Sequence, residues 1–409
     1  MTDTRRSDLP VATAAIGAAD RDREVAPTAV ASQERGVPRC WDIFCQVVDN
    51  YGDIGVCWRL ARQLAAEYGF AVRLWVDDLA TFRLFFPACV PARERQTCRG
   101  VEVRHWTPDF PPDVAPADRV IAAFGCELPA IYVAAMALCN PKPVWINLEY
   151  LSAENWILGC HGLPSPHPRL PLVKHFFFPG FVPGTGGLLL EKDLFERRDA
   201  FQRSPQQIAA FWSALGWQAP APDAIKISLF CYPNPAWAGL MDTWAVAPTP
   251  IVCFIPEGTF AATLGLERLQ LGAQIIRGSL TLRILPFLEQ DAYDRLLWAC
   301  DCNFVRGEDS FVRAQWAARP LVWHIYLQDE QAHEVKLTAF LDLYCAELPI
   351  IAANAVRDFW RLWNRGEMCA SAWGEFLQHR QILDQHARRW SMALRGHGDL
   401  AARLQIAPQ

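Results

Sequence analysis

The sequence predicts an α/β protein made of two doubly wound halves, each a mostly parallel sheet covered by helices on both faces. Three observations carry that expectation. Short apolar runs alternate with stretches of helical spacing along most of the chain, the pattern of strands buried on both faces. The alternation lapses in the Pro-, Gly- and Phe-rich stretch 164–187 and starts afresh at Ile225. Polar turns follow strand ends in both halves, where sheets of this kind hold ligands. At 409 residues the chain is long enough for two cores.

Residues 1–36 are rich in Ala, Arg, Asp and Glu and hold no aromatic residue, which predicts a disordered tail. Arg5-Arg6 ahead of an Ala- and Gly-rich stretch imitates a twin-arginine signal, but Asp20, Asp22 and Glu24 crowd the would-be apolar region. Asp20-Arg21-Asp22 mimics a metal-binding D-x-D without a strand before it. Structure is expected from Trp41. Residues 43–48 read as a strand, 49–55 as a turn, and 56–67 as a helix with Val56, Leu60 and Leu64 inward and Arg59, Arg62 and Glu67 opposite. Strands follow near 72–76, 101–106, 120–124 and 144–148, with a helix at 129–138. Stretch 164–187 lacks periodicity and reads as a surface loop or an interdomain approach. The charged stretch 191–203 leads into a helix at 205–215. The second alternation has strands at 225–230, 251–255, 280–285, 302–305 and 321–324, and helices at 237–245, 291–299 and 310–318. From Asp358 the chain reads as helical and Trp-rich. The expected domains are 37–189 and 190–389, with a terminal helix in 390–409 packing back on the first.

Composition narrows the function. A net charge of −5 and the lack of a dense Lys/Arg block argue against a nucleic-acid binder. No apolar run approaches the ~20 residues that span a bilayer. The 14 cysteines form no C-x-x-C pair, and Cys300 and Cys302 around Asp301 have no second cluster to complete a zinc site. They predict buried, reduced thiols and a reducing cytoplasm.

Three constellations carry chemistry. In Phe304 to Pro320, FVRGEDSFVRAQWAARP, a strand feeds a tight turn that opens a helix. Backbone N–H groups and the helix dipole make such a place an anion site, and Arg306 and Arg313 add charge suited to phosphate. Glu308 and Asp309 fit if one carboxylate caps the helix and the other reaches hydroxyls. Without a ligand, the same residues make a helix N-cap at Asp309 or Ser310. In Asp49-Asn50-Tyr51-Gly52-Asp53-Ile54-Gly55 the glycine spacing imitates a dinucleotide turn, with Asp77 and Asp78 in the place of the ribose-binding acid. The first glycine of G-x-G-x-x-G is missing, and Tyr51 and Asp53 sit where bare backbone is needed, which argues against NAD or FAD. Asp49 and Asp53 instead place two carboxylates at a strand end, suited to a general base or to an Asx-turn and helix cap. In Ser228-Leu229-Phe230-Cys231-Tyr232 two aromatics on one face of an extended chain are able to sandwich a flat base or to pack in the core. Gln290, at a helix start, suits either a pyrimidine edge or a solvated cap.

DNYGDIGVCWRLARQLA, SLFCYPN and FVRGEDSFVRAQWA, in that order, resemble the protein-arginine rhamnosyltransferases that modify translation elongation factor P. The resemblance runs from Trp41 into the C-terminal region and leaves only the tail without a counterpart. It implies a GT-B fold, two facing Rossmann-like domains with a cleft between them. The donor it implies is TDP-β-L-rhamnose as co-substrate, with no cofactor and no metal. The acceptor is an arginine of elongation factor P, with inversion at the sugar and no nucleic-acid or membrane partner. It marks Asp53 as the base, Asp49 as its acidic neighbour and Glu308 as a second essential carboxylate. It assigns Asn50, Tyr51, Gly52, Phe230, Tyr232, Gln290, Arg306, Gly307, Asp309 and Ser310 to the donor site. Competing expectations are a Rossmann-type NAD(P)-dependent oxidoreductase and a non-catalytic protein that docks a translation factor.

Overall fold

The structure, a computed structural model, describes residues 39–48, 51–257, 272–327 and 332–406. The tail expected at 1–36, and with it the D-x-D look-alike, lies outside the described residues.

The first half contains β1 (Cys40–Cys45), α1 (Gly52–Tyr68), β2 (Ala71–Val76), α2 (Leu79–Phe85), β3 (Arg95–Cys98), β4 (Val101–His105), β5 (Arg119–Ala123), α3 (Ala130–Leu138), β6 (Val144–Leu148), α4 (Ile157–Cys160), β7 (Pro164–Pro166) and β8 (Val173–Phe177). Its eight strands lie in the order β3-β4-β2-β1-β5-β6-β8-β7. The inner six are parallel and the two edges antiparallel. Successive residues serve opposite faces, as the pleat requires: Ile43 and Cys45 enter one apolar cluster, and Phe44 between them enters another.

The second half follows with α5 (Leu194–Gln202), α6 (Pro205–Ala214), β9 (Ile225–Leu229), α7 (Trp237–Ala245), β10 (Ile251–Pro256), β11 (Gln274–Arg277), β12 (Leu280–Leu285), α8 (Gln290–Ala299), β13 (Cys302–Arg306), α9 (Asp309–Ala317) and β14 (Leu321–His324). Its sheet runs β11-β12-β10-β9-β13-β14, parallel except for the edge strand β11. Then come α10 (Ala332–Cys345), α11 (Ile350–Arg365), α12 (Ala370–Gln378), α13 (Arg380–Arg395) and α14 (Leu400–Gln405). Trp363 and Trp373 from these helices bury against Phe304 and Trp244 of the second core, and Trp360 stacks on Phe340 and Tyr344. No helix among the described residues is long and apolar enough to cross a membrane.

Several expectations change. The 164–187 stretch contains β7 and β8, and α1 starts at Gly52, so Gly52 to Gly55 belong to the helix rather than to a free turn. Residue 390 falls inside α13 rather than at a break. The chain end returns to the first half: Leu400, Ala401 and Leu404 join the core of β1 and β2. Arg119 donates to the carbonyls of Leu404 and Gln405 at 3.0 and 2.8 Å.

In each sheet the strand order reverses beside the first strand of that half. In the second sheet the reversal lies between β9 and β13, so Phe230 and Arg306 leave adjacent strands at the crevice where doubly wound sheets bind ligands.

Candidate active site

The turn after β13 is built by its own residues. Gly307 has φ +57°, a conformation costly for a side chain with a Cβ. The Ser310 hydroxyl accepts from the Arg306 N–H at 3.1 Å and donates to the Arg306 carbonyl. Trp323 Nε1 holds the Gly307 carbonyl at 3.2 Å. Helix α9 starts from Glu308, whose side chain makes no capping bond. Neither Asp309 nor Ser310 is therefore the N-cap. Ser310 closes the turn instead, leaving the first amides of α9 at the crevice.

One crevice is lined by Tyr51, Phe230, Gln290, Arg306, Asp309 and Ser310, together with Gly52 and Gly307. Eight of the residues expected from sequence thus meet in one place. Arg306 occupies the space between the aromatic pair: its guanidinium carbon lies 4.5 Å from the Phe230 ring centre and 4.6 Å from that of Tyr232. The pair therefore clasps a cation, an arrangement favoured by the negative face of each ring. The Tyr51 ring approaches the same guanidinium at 5.5 Å. Behind Tyr232 stands His324, which burial, then the charge of Arg306, pushes down to about 3, so it is neutral at ordinary pH.

Sequence reasoning missed Phe85, Phe287 and Tyr293, which line the same crevice. Phe287 lies 5.4 Å from both Tyr51 and Phe85, so its ring bridges the two halves. Its position just past the end of β12 was the available signal, since ligand-facing residues of such sheets follow strand ends.

A second cavity, of about 270 Å³, adjoins the first. Asp53 from α1 and Glu308 from the turn after β13 both line it, with Tyr150, Trp323, Tyr326 and Lys336. Asp53 is buried, and its Oδ2 accepts from the Val48 N–H at 2.9 Å. Glu308 Oε1 accepts from the Leu151 N–H of the first half at 2.8 Å. Asp49 and Asn50 lie outside the described residues.

Two arginines depart from expectation. Arg59 does not face solvent, and Arg313 is not offered to phosphate. Both are buried in a cluster with Asp294, Asp309 and Glu191. Arg59 Nε and Nη2 meet the two oxygens of Asp309 at 2.8 and 3.3 Å. Arg313 Nε and Nη2 fork onto Asp294 at 2.9 and 2.6 Å. Burial alone would raise the Glu191 carboxyl, but Arg313 and Arg59 hold it well below the usual carboxylate range. Removing one partner from such a buried cluster costs about 3–5 kcal/mol.

Gln290 is not a solvated cap: it is buried at the crevice wall. Its Nε2 donates to the Gly55 carbonyl at 2.8 Å and to Asp309 at 3.3 Å, and its Oε1 accepts from Arg62 at 2.9 Å. The glycine that imitated a dinucleotide turn serves this contact too. A Cβ at Gly55 would stand 3.2 Å from the Asp309 Cβ, so the missing side chain lets α1 approach the turn after β13. Among the described residues, no group of three or more His, Cys, Asp or Glu could hold a metal ion.

Residues 41–407 match the family model described as elongation-factor P (EF-P) rhamnosyltransferase EarP. A protein-arginine rhamnosyltransferase of Pseudomonas putida is 52% identical over 368 residues, 89% of this chain and 97% of that protein. One from Neisseria meningitidis is 35% identical over 374 residues, covering 87% and 93% of the two chains. A solved structure, described as the basis for EarP-mediated arginine glycosylation of translation elongation factor EF-P, aligns with a TM-score of 0.64. It is 39% identical and covers 90% of this chain and 98% of its own. With its two Rossmann-like sheets and the crevice between them, this GT-B chain belongs to the EarP family of elongation-factor P rhamnosyltransferases.

Proposed function

We propose that this chain transfers L-rhamnose from TDP-β-L-rhamnose to an arginine side chain of elongation factor P, inverting the anomeric centre. The observation that carries the proposal is the pairing of cavities. Asp53 and Glu308 line one, and the adjoining crevice at the sheet's reversal point carries Arg306 and the start of α9. Family membership supports the same reading.

In the reaction the bond between the sugar C1 and the diphosphate oxygen breaks, and a bond from a guanidinium nitrogen to C1 forms. Positive charge grows on the sugar and negative charge on the leaving TDP. Arg306 and the first amides of α9 are set to stabilise the leaving group. This is the charge compensation a divalent ion provides in other transferases, and no metal enters the proposed scheme. The acceptor guanidinium is charged and delocalised, hence a poor nucleophile. Between Asp53 and Glu308 it would be oriented with one nitrogen towards C1, and Asp53 would take the proton as the new bond forms. Binding of the donor would draw Arg306 to the diphosphate and leave the base between Phe230 and Tyr232. Modification of a translation factor fits a cytoplasmic enzyme.

Incubation of the protein with TDP-rhamnose and elongation factor P, followed by intact-mass analysis, is expected to show one added deoxyhexose, with or without EDTA. An unmodified factor would overturn the activity, and modification lost in EDTA would overturn the metal-free scheme. For the aromatic pair, Phe230→Ala and Tyr232→Ala are each expected to weaken TDP binding by ~1–3 kcal/mol, the worth of one stacked ring. Calorimetry decides this: unchanged affinity with a lower melting temperature would make the pair core packing.

A further inference from the structure

We propose that Arg59 is a positioning residue for the transfer reaction, locking the helix that carries Asp53 to the turn that carries Glu308. The proposal rests on the functional reading above. Asp53 lies in the first turn of α1, and Arg59 lies six residues further along the same helix. At a rise of 1.5 Å per residue the two are about 9 Å apart along a stiff rod. On the other side, Asp309 is the first residue of α9 and the direct neighbour of Glu308. The fork between Arg59 and Asp309 therefore joins a residue fixed relative to one carboxylate to a residue bonded to the other.

The fork fixes orientation as well as distance. A guanidinium meeting both oxygens of a carboxylate allows one relative rotation of the planes, whereas an ammonium acts as a point charge. The remaining nitrogen, Nη1, reaches Glu191 at 3.3 Å and Asp294 at 3.4 Å. Arg313 grips the same two carboxylates from α9 itself. Arg59 is thus held at both ends and has little freedom to swing. Gly55 and Gln290 add a second tie one turn nearer Asp53: the close approach of Gly55 to Asp309, and the bond from Gln290 to the Gly55 carbonyl. An interface needed for stability alone would be served as well by apolar side chains of similar volume. A buried, oriented fork at the junction of the two catalytic elements fits a demand for geometry.

The test uses the full chain with TDP, TDP-rhamnose and elongation factor P, comparing wild type with Arg59→Lys, which keeps the charge and loses the fork. Three quantities are read: TDP affinity by calorimetry, single-turnover transfer at saturating donor, and amide hydrogen exchange in residues 52–57 with and without TDP. In wild type, TDP bound in the crevice is expected to slow exchange at the start of α1. In Arg59→Lys that protection is expected to vanish and transfer to fall ~10-fold or more, as small misplacements of reacting groups do. TDP affinity is expected to stay within about twofold, the mark of an interaction felt in the chemical step rather than in binding. The proposal is overturned if TDP leaves wild-type exchange at 52–57 unchanged. It is also overturned if Arg59→Lys transfers at the wild-type rate per TDP-binding site, or loses TDP binding and transfer by the same factor. The exchange readout needs no acceptor. A wild-type protein that shows protection but never modifies the factor therefore counts against the assigned acceptor and not against the lock.

Discussion

Asp53→Asn is expected to bind TDP as the wild type does and to transfer rhamnose ~10²–10⁴ times more slowly, the usual worth of a positioned acid–base group. The fold should survive. Asp53 is buried and its Oδ2 accepts from the Val48 N–H at 2.9 Å, a bond that an asparagine carbonyl can also accept. The crevice proposed for the nucleotide is lined by Tyr51 and Gly52 but not by Asp53, so donor affinity has no reason to change. The measurement is single-turnover transfer at saturating donor beside calorimetric TDP affinity. Near wild-type turnover would remove Asp53 as the base and make Asp49→Asn the next variant to examine.

Glu308→Gln is the second large effect, again ~10²-fold or more in transfer if the carboxylate's charge orients the acceptor guanidinium. It should differ from Asp53→Asn in one respect. Glu308 precedes α9, lies between Gly307 and Asp309, and bonds Leu151 of the opposite half. An amide there must turn its oxygen to the Leu151 N–H and its NH2 into the cavity, which disturbs the turn, so TDP affinity should change as well. The same two measurements separate the variants. Full transfer by Glu308→Gln would show that shape and not charge is needed at this position.

Much of the fold was legible because parallel strands buried on both faces leave nearly pure apolar runs. Ile251–Pro256 and Leu321–His324 stood out for that reason. The edge strands Arg95–Cys98 and Gln274–Arg277 did not. Each is short, pairs on one side only, and is too polar to interrupt a loop pattern. The carboxylates and Arg306 were legible because polar residues at a strand end are unusual enough to notice. Phe85, Phe287 and Tyr293 escaped because an aromatic residue in an apolar context looks like core until its neighbours are known. Arg59 and Arg313 were misplaced for a more general reason. Helical periodicity identifies the apolar face, but the other face of α1 meets the second half of the molecule and not water. No local pattern distinguishes a solvated arginine from one whose partners lie more than 200 residues away, as Asp294 and Asp309 do from Arg59.

The return of the chain end to the first half has a consequence for the order of assembly. Every strand of the first sheet has been synthesised by Phe177. Yet Leu400, Ala401 and Leu404 complete its core, and Arg119 finds its acceptors in the carbonyls of Leu404 and Gln405. In the order of synthesis, the first sheet is therefore complete well before α14, whose apolar residues fill out its core.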